Sequence, residues 1–281
     1  MGQSPQLVKE VTVSPESNLA FSFTEPRKIR PKLMGTPARL ETCSAMVLAG
    51  GLGTRLRSMF DRGPKCMAPV GGRLFLEYLL DWLRSFNIKD LILCVGHKSF
   101  QIQNWLGDGE KWGLHVRYSV EEELLGTGGA LKLAERMLST ELCVVVNGDS
   151  FLNVDLQEMH RFHVRRKALA TIAVTKVRSS GRYGKVQLDA HGKITAFREK
   201  DPHERLSRGG FQLINGGVYL LHTRFLDAIP SDRVVSVEKE TFPALVGKHL
   251  YGFITEGYFI DIGVPSDFAR AQAELPSRLC T

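Results

Sequence analysis

Paired cysteines are missing from this sequence. Its five cysteines, Cys43, Cys66, Cys94, Cys143 and Cys280, are scattered and odd in number, and none forms a CxxC pair. Neither a zinc site nor a disulfide framework is indicated, and a reducing cytoplasm is the expected location. Apolar runs of the roughly 20 residues needed to cross a bilayer are also missing, and the first residues lack the basic-then-apolar order of a secretory signal. No membrane association is expected. Dense basic runs are absent too. The net charge of +7, from 37 basic and 30 acidic residues, suits anionic ligands without selecting one, and no nucleic acid is expected as a partner. The glycine cluster at 50–53 matches neither GxGxxG nor GxxxxGK[ST], which disfavours a nicotinamide oxidoreductase and a P-loop enzyme.

What is present is ordinary in bulk. With 281 residues, 43% of them hydrophobic and 24% charged, the chain can build one large α/β domain with an insertion, or two small domains. Residues 1–44 read apart from the rest, carrying Pro5, Pro15, Pro26, Pro31 and Pro37 and little apolar periodicity. They are expected to be a flexible or surface-docked extension, with a short strand at 19–23, and residues 45–281 form the main domain.

That domain begins abruptly. Residues 45–49 are an apolar run leading into glycines, as buried parallel strands do. Leu76, Leu79, Leu80 and Leu83 recur at helical spacing within 75–86. Further strands are predicted at 90–95, 116–120 and 142–146, and a helix at 130–138. This rhythm implies a parallel sheet covered on both faces. From Leu169 onward the pattern becomes mixed β, with strands at 171–175, 184–188, 194–197 and 217–221 and a tight turn at 190–193.

The chemistry concentrates at strand ends. Leu48-Ala49-Gly50-Gly51-Leu52-Gly53-Thr54-Arg55 places glycines after a buried strand, where backbone N–H groups can approach phosphate oxygens closely. Arg55 and Lys65 flank that cradle, the second within Gly63-Pro64-Lys65-Cys66-Met67-Ala68-Pro69-Val70. One supplies a planar fork and the other a compact charge. Asp149 lies just past the strand 142–146, where open parallel sheets bind ligands, and Asp261 has a similar apolar setting. Taken singly, such cations are usually solvated and such aspartates usually cap turns; together they point to a phosphate-bearing substrate. His160 and His163 read as surface residues, and Trp82, Trp105 and Trp112 as packing.

The GGLGTRL and PKCMAPV segments resemble the signature of the sugar nucleotidyltransferase family, from Ala45 to about Leu275. Within it, the likeness is greatest to guanylyltransferases acting on D-glycero-α-D-manno-heptose 1-phosphate. Cys66 and Leu125 stand where the family usually has proline. The resemblance implies a Rossmann-like, doubly wound, mostly parallel sheet with mixed β insertions forming a sugar pocket. It implies GTP and a sugar 1-phosphate as partners, with Mg²⁺ on Asp149 and Asp261, and leaves a homo-oligomer open. Leu48, Ala49, Gly50, Gly51, Gly53 and Thr54 would bind the nucleotide, with Gly126, Thr127 and Gly128 against its base. Arg55, Lys65 and Lys200 would be catalytic, while Tyr183, Gly184, Glu199, Asn215 and Gly216 would hold the sugar phosphate. The alternatives are a mannose 1-phosphate guanylyltransferase, or a non-catalytic nucleotide-sugar sensor on the same fold. A sensor would be expected to lose a cation or a carboxylate, yet Arg55, Lys65, Asp149, Lys200 and Asp261 are all retained.

Overall fold

Strands that are apolar at every position must be buried on both faces, and the first of these sets the frame of the domain. The structure, a computed structural model, describes residues 39–51, 60, 63–178, 183–199, 210–231 and 233–278. The predicted strand at 19–23 lies outside the described residues. The first half of the domain contains β1 (Ser44–Leu48), β2 (Pro69–Val70), β3 (Arg73–Leu74), α1 (Phe75–Ser85), β4 (Asp90–Val95), α2 (Ser99–Leu106), β5 (His115–Val120), α3 (Gly126–Ala134) and β6 (Leu142–Asn147). There follow β7 (Ser150–Leu152), α4 (Leu156–Arg166), β8 (Ala170–Arg178), β9 (Lys185–Leu188), β10 (Ile194–Arg198) and β11 (Phe211–His222). Last come α5 (Phe242–Leu245), β12 (Leu250–Thr255), β13 (Phe259–Asp261) and α6 (Pro265–Arg278).

Nine strands make one sheet, in the path β10-β9-β11-β6-β1-β4-β5, with β8 paired to β11 and β12 to β8. The β6-β1-β4-β5 half is wholly parallel. Only β11 and β10 run against the rest, since β11 is antiparallel to β6, β8 and β9, β10 is antiparallel to β9, and β12 is parallel to β8. The fold is therefore mixed α/β with a large, mostly parallel central sheet. Alternate side chains of each central strand feed two cores. Ala45, Val47, Leu91, Leu93, Val144 and Val146 pack on one face with α1, α4 and α6. Met46, Ile92, Cys94, Cys143 and Val145 pack on the other with α3 and Phe242. Each such buried aliphatic side chain contributes about 1.5–3 kcal/mol. Among the described residues, no helix is long and apolar enough to cross a membrane, and the four described cysteines are free and buried.

Two elements depart from the sequence reading for physical reasons. The helix predicted at 130–138 begins earlier, at Gly126. Gly126-Thr127-Gly128-Gly129 is a poor helix former, but tertiary hydrogen bonds from Gly128 N–H to Val235 O (2.8 Å) and from Val237 N–H to Thr127 Oγ1 (2.9 Å) hold it in place. The strand expected at 217–221 extends back to Phe211 through a bulge at Asn215–Tyr219. There Gly217 takes a φ of +75°, and its N–H donates to Asn215 Oδ1 at 3.0 Å. This left-handed position favours glycine.

His163 corrects the surface reading. It is 4% exposed, with Nδ1 2.8 Å from Thr171 Oγ1. Burial, reinforced by repulsion from His160 and His222, takes its pKa down to about 3. An unfolded imidazole titrates near 6.5, so the unfolded chain takes up this proton first and stability falls as pH drops from about 6.5 toward 3. This single group is expected to add a slope of about 1.4 kcal/mol per pH unit to the unfolding free energy between roughly pH 6 and 4. Urea unfolding across that range should show the slope in the natural protein and lose it in His163→Gln. An unchanged slope would assign the titration to another group.

Candidate active site

The parallel half of the sheet brings three loops together at the carboxyl ends of its strands, where α/β sheets bind ligands. Ala49, Gly50 and Gly51 follow β1, Glu121 follows β5, and Asn147, Gly148 and Asp149 end and follow β6. With Leu48, Lys65, Cys66, Leu124, Gly126, Thr127 and Ala130 they line a cleft of about 280 Å³, near the lower end of the range for small-molecule sites.

The floor of this cleft is backbone against backbone. Gly148 N–H donates to Leu48 O at 2.9 Å, and Ala49 N–H donates to Cys94 O at 2.8 Å. A Cβ on Gly148 would stand 2.7 Å from Leu48 O, so only glycine lets the β6 loop lie against the β1 loop. Gly50 meets a different neighbour, because a Cβ there would be 2.7 Å from Glu121 Oε1. The other oxygen of Glu121 accepts Leu125 N–H at 2.9 Å. Burial raises the pKa of this carboxyl, and the Leu125 N–H offsets part of that rise.

Charge enters through Lys65. Its Nζ donates to Asp149 Oδ2 at 2.6 Å, with the lysine side chain 12% exposed and the aspartate 42%. The cation is thus embedded while the carboxylate stays open to the cleft. Asp261 reaches the same place by strand pairing. β13 runs antiparallel to β7 with Asp261 opposite Ser150, Ile262 N–H donates to Asp149 O at 3.0 Å, and Gly263 N–H donates to Asp261 Oδ1 at 2.6 Å. A Cβ on Gly263 would lie 3.4 Å from Lys65 Nζ, so the ammonium sits beside the turn that carries Asp261. Two carboxylates from adjacent strand ends form an oxygen donor set that fits a small, hard divalent cation completing its shell with phosphate oxygens and water. Among the described residues, no three His, Cys, Asp or Glu side chains converge on one point.

Cys66 also lines the cleft. Burial, and secondarily the charge of Asp149, push its thiol up to about 12. A thiol held protonated is a poor nucleophile.

The sugar-side candidates gather farther along the sheet. Asn215 N–H donates to Gly184 O at 2.9 Å, and a Cβ on Gly184 would stand 2.9 Å from Glu199 Oε2. Tyr183 sets its ring edge-on to Phe259, with centroids 5.3 Å apart, and its OH donates to Asp267 Oδ2 at 3.4 Å. That places it beside the strand bearing Asp261. Gly216 is packed, its Cα against Leu152 and the Ala173 carbonyl. Gly53, Thr54, Arg55 and Lys200 lie outside the described residues.

Thr127 and Gly128 are engaged inside the protein. Gly128 N–H bonds Val235 O, and the Thr127 hydroxyl donates to Glu238 Oε2 at 2.6 Å. Glu121, Leu124 and Asn147 are cleft residues that the sequence reading passed over. Glu121 had a legible signal, since it directly follows the strand predicted at 116–120.

The chain matches the nucleotidyl transferase family over residues 44–278. It is 39% identical to the D-glycero-α-D-manno-heptose 1-phosphate guanylyltransferase of Aneurinibacillus thermoaerophilus, over 82% of this chain and 97% of that protein. It is 36% identical to the mannose-1-phosphate guanylyltransferase of Mycobacterium tuberculosis, over 82% of this chain and 64% of that protein. Two crystal structures of HddC from Yersinia pseudotuberculosis, one of them complexed with GMP-PN, superpose with a TM-score of 0.71 at 29% identity, covering 83% of this chain and 99% of theirs. A glycine loop, an embedded lysine and paired aspartates at the carboxyl edge of a parallel sheet thus occur in a chain that belongs to the nucleotidyl transferase family.

Proposed function

We propose that the protein transfers the guanylyl group of GTP to D-glycero-α-D-manno-heptose 1-phosphate, giving GDP-heptose and pyrophosphate, and that residues 45–281 form the domain that does so. The observation that carries this reading is the meeting of the β1 glycine loop, Lys65 and Asp149 on one cleft floor. The heptose enzyme of A. thermoaerophilus and the HddC complex with GMP-PN support the guanine nucleotide and the heptose. The M. tuberculosis relative supports mannose 1-phosphate as the second reading.

In the proposed reaction an oxygen of the sugar 1-phosphate attacks the α-phosphorus of GTP in line, and pyrophosphate leaves. The protonated Cys66, a Thr127 hydroxyl committed to Glu238 and a Lys65 ammonium committed to Asp149 suit direct displacement without a covalent intermediate. Catalysis then rests on orientation and on offsetting charge in the transition state. Backbone N–H groups of Gly50 and Gly51, together with Gly53 and Thr54, hold the triphosphate, while Ala49, its N–H committed to Cys94 O, shapes the loop. Arg55 and Lys65 steady its charge. Lys200 holds the attacking phosphate, while Tyr183, Glu199 and Asn215 orient the sugar. Asp149 and Asp261 would hold Mg²⁺, which when bound would supply positive charge to offset that of the phosphates. Glu121 faces the cleft with one carboxylate oxygen beside Gly50. An acceptor at that position is matched to guanine, whose N1–H and N2–H₂ are both donors.

Pyrophosphate release, measured with Mg²⁺ for each nucleoside triphosphate against heptose, mannose, glucose and N-acetylhexosamine 1-phosphates, is expected with GTP and the heptose phosphate. Release with GTP and mannose phosphate would move the protein to the second reading. Binding of nucleotide sugar without release would make it a sensor. Lys65→Ala is expected to lower kcat by about 10²-fold, the scale of removing a transition-state charge contact; a near-normal rate would take Lys65 out of the mechanism. Glu121→Gln, which replaces one acceptor by a donor, is expected to cut the GTP-over-ATP ratio of kcat/KM by about tenfold, within the range of a bidentate base contact. An unchanged ratio would assign base choice elsewhere.

A further inference from the structure

Thr127 lines the cleft, yet its hydroxyl is committed on its far side. It donates to Glu238 Oε2 at 2.6 Å and accepts from Val237 N–H at 2.9 Å. The same Glu238 oxygen accepts Ser236 Oγ–H at 2.9 Å. Just before it in the chain, Val235 O accepts Gly128 N–H at 2.8 Å and Val235 N–H donates to Leu125 O at 2.9 Å. Thr127, which lines one wall of the cleft, and Leu125 and Gly128, which flank the lining residues Leu124, Gly126 and Thr127, are therefore bolted to residues 235–238. No room is left at this joint: a Cβ on Gly128 would stand 2.8 Å from the Val235 side chain. The segment continues into a π-helix, Val237–Thr241, a rare geometry that tends to occur at functional sites.

The far end of this segment reaches the sugar half: Phe242, the residue after the π-helix, packs its ring against those of Tyr219 and Phe197, with centroids 5.2 and 5.4 Å apart. Tyr219 on β11 is fully buried, and its phenol is held protonated, first by burial and then by the charges of Glu238 and Glu199. Its oxygen accepts Asn215 Nδ2–H at 2.9 Å. The segment 237–242 thus touches the nucleotide wall through Glu238 and Thr127 and packs through Phe242 on the tyrosine that binds Asn215. We propose that Glu238 is a positioning residue that ties the nucleotide wall of the cleft to its sugar side, so that the two substrates are held at a fixed separation. It contacts neither substrate. The inference rests on the transfer reading above for the identity of the two substrates, but the joint itself is a property of the nucleotide wall.

The test is a cycle of Thr127→Val, Glu238→Ala and the double variant, with Thr127→Ser as the conservative control. KM for each substrate is read from pyrophosphate release, nucleotide Kd is read by calorimetry, and folding is checked by urea unfolding. Thr127→Val, which keeps the shape and removes the hydroxyl, is expected to raise nucleotide KM and Kd about tenfold with little change in the sugar-phosphate KM. Glu238→Ala should raise both KM values, and the double variant should be no worse for nucleotide than Glu238→Ala alone, because both changes break one bond. Thr127→Ser should stay within about twofold of the natural protein, since it restores the hydroxyl. An unaltered nucleotide Kd in folded Thr127→Val, or strictly additive losses in the double variant, would overturn the proposal. If Glu238→Ala does not fold, the contrast of Thr127→Val with Thr127→Ser decides it. Absence of pyrophosphate release by the natural protein with every substrate pair would count against the transfer reading, and the nucleotide Kd values would then still decide the joint. Failure of the natural protein to bind any nucleotide would overturn both.

Discussion

At the ends of β1 and β6 the backbone of Gly148 lies directly on that of Leu48, its N–H donating to the Leu48 carbonyl at 2.9 Å where a Cβ would stand only 2.7 Å from the same oxygen. Everything in the cleft depends on this contact. It sets the phosphate-sized glycine loop and the carboxylate of Asp149 on one floor, although 98 residues of chain separate Gly51 from Asp149. The two strands hold it in register, with Ser44 opposite Cys143 and Leu48 opposite Asn147. A parallel sheet places the starts of all its crossovers at one edge, so loops from β5 and from the Lys65 turn converge there as well.

Electrostatics then divides the cleft. Lys65 is embedded against Asp149 and beside the Asp261 turn, so cation and carboxylates are held together before any phosphate arrives. Glu121, across the β1 loop, is raised by burial rather than by a like charge. The thiol of Cys66 is kept protonated by its surroundings. A protonated thiol, a fixed cation and oxygen donors suited to a hard metal fit the in-line displacement proposed above better than a covalent intermediate.

Legibility in the sequence followed burial. Strands buried on both faces announced themselves as unbroken apolar runs: β1, β4 and β6 stand within a residue of where the sequence places them. The helix α1 was equally plain from its leucine spacing. Where tertiary hydrogen bonds override local preference, reading failed. Nothing local in Gly126-Thr127-Gly128-Gly129 argues for a helix start, because Val235 and Val237 supply its partners from a hundred residues away. His163 looked like one more polar residue on a charged helix, and only the packing of α4 on β8 buries it beside Thr171.

The candidate site divides in the same way. Glycines after an apolar strand, a proline-flanked Lys65 and aspartates at strand ends are local patterns, and each has its physical meaning from its immediate neighbours in the chain. The sequence by itself therefore determined the central strands, the chemical types gathered at their ends and the family they resemble. Only the tertiary structure decided that Lys65 pairs with Asp149, that β13 carries Asp261 to the start of β7, and that Thr127 is turned onto Glu238. Those relations depend on distances between residues far apart in the chain, and such distances are set by the pairing and packing of whole elements rather than by the propensities of any one segment.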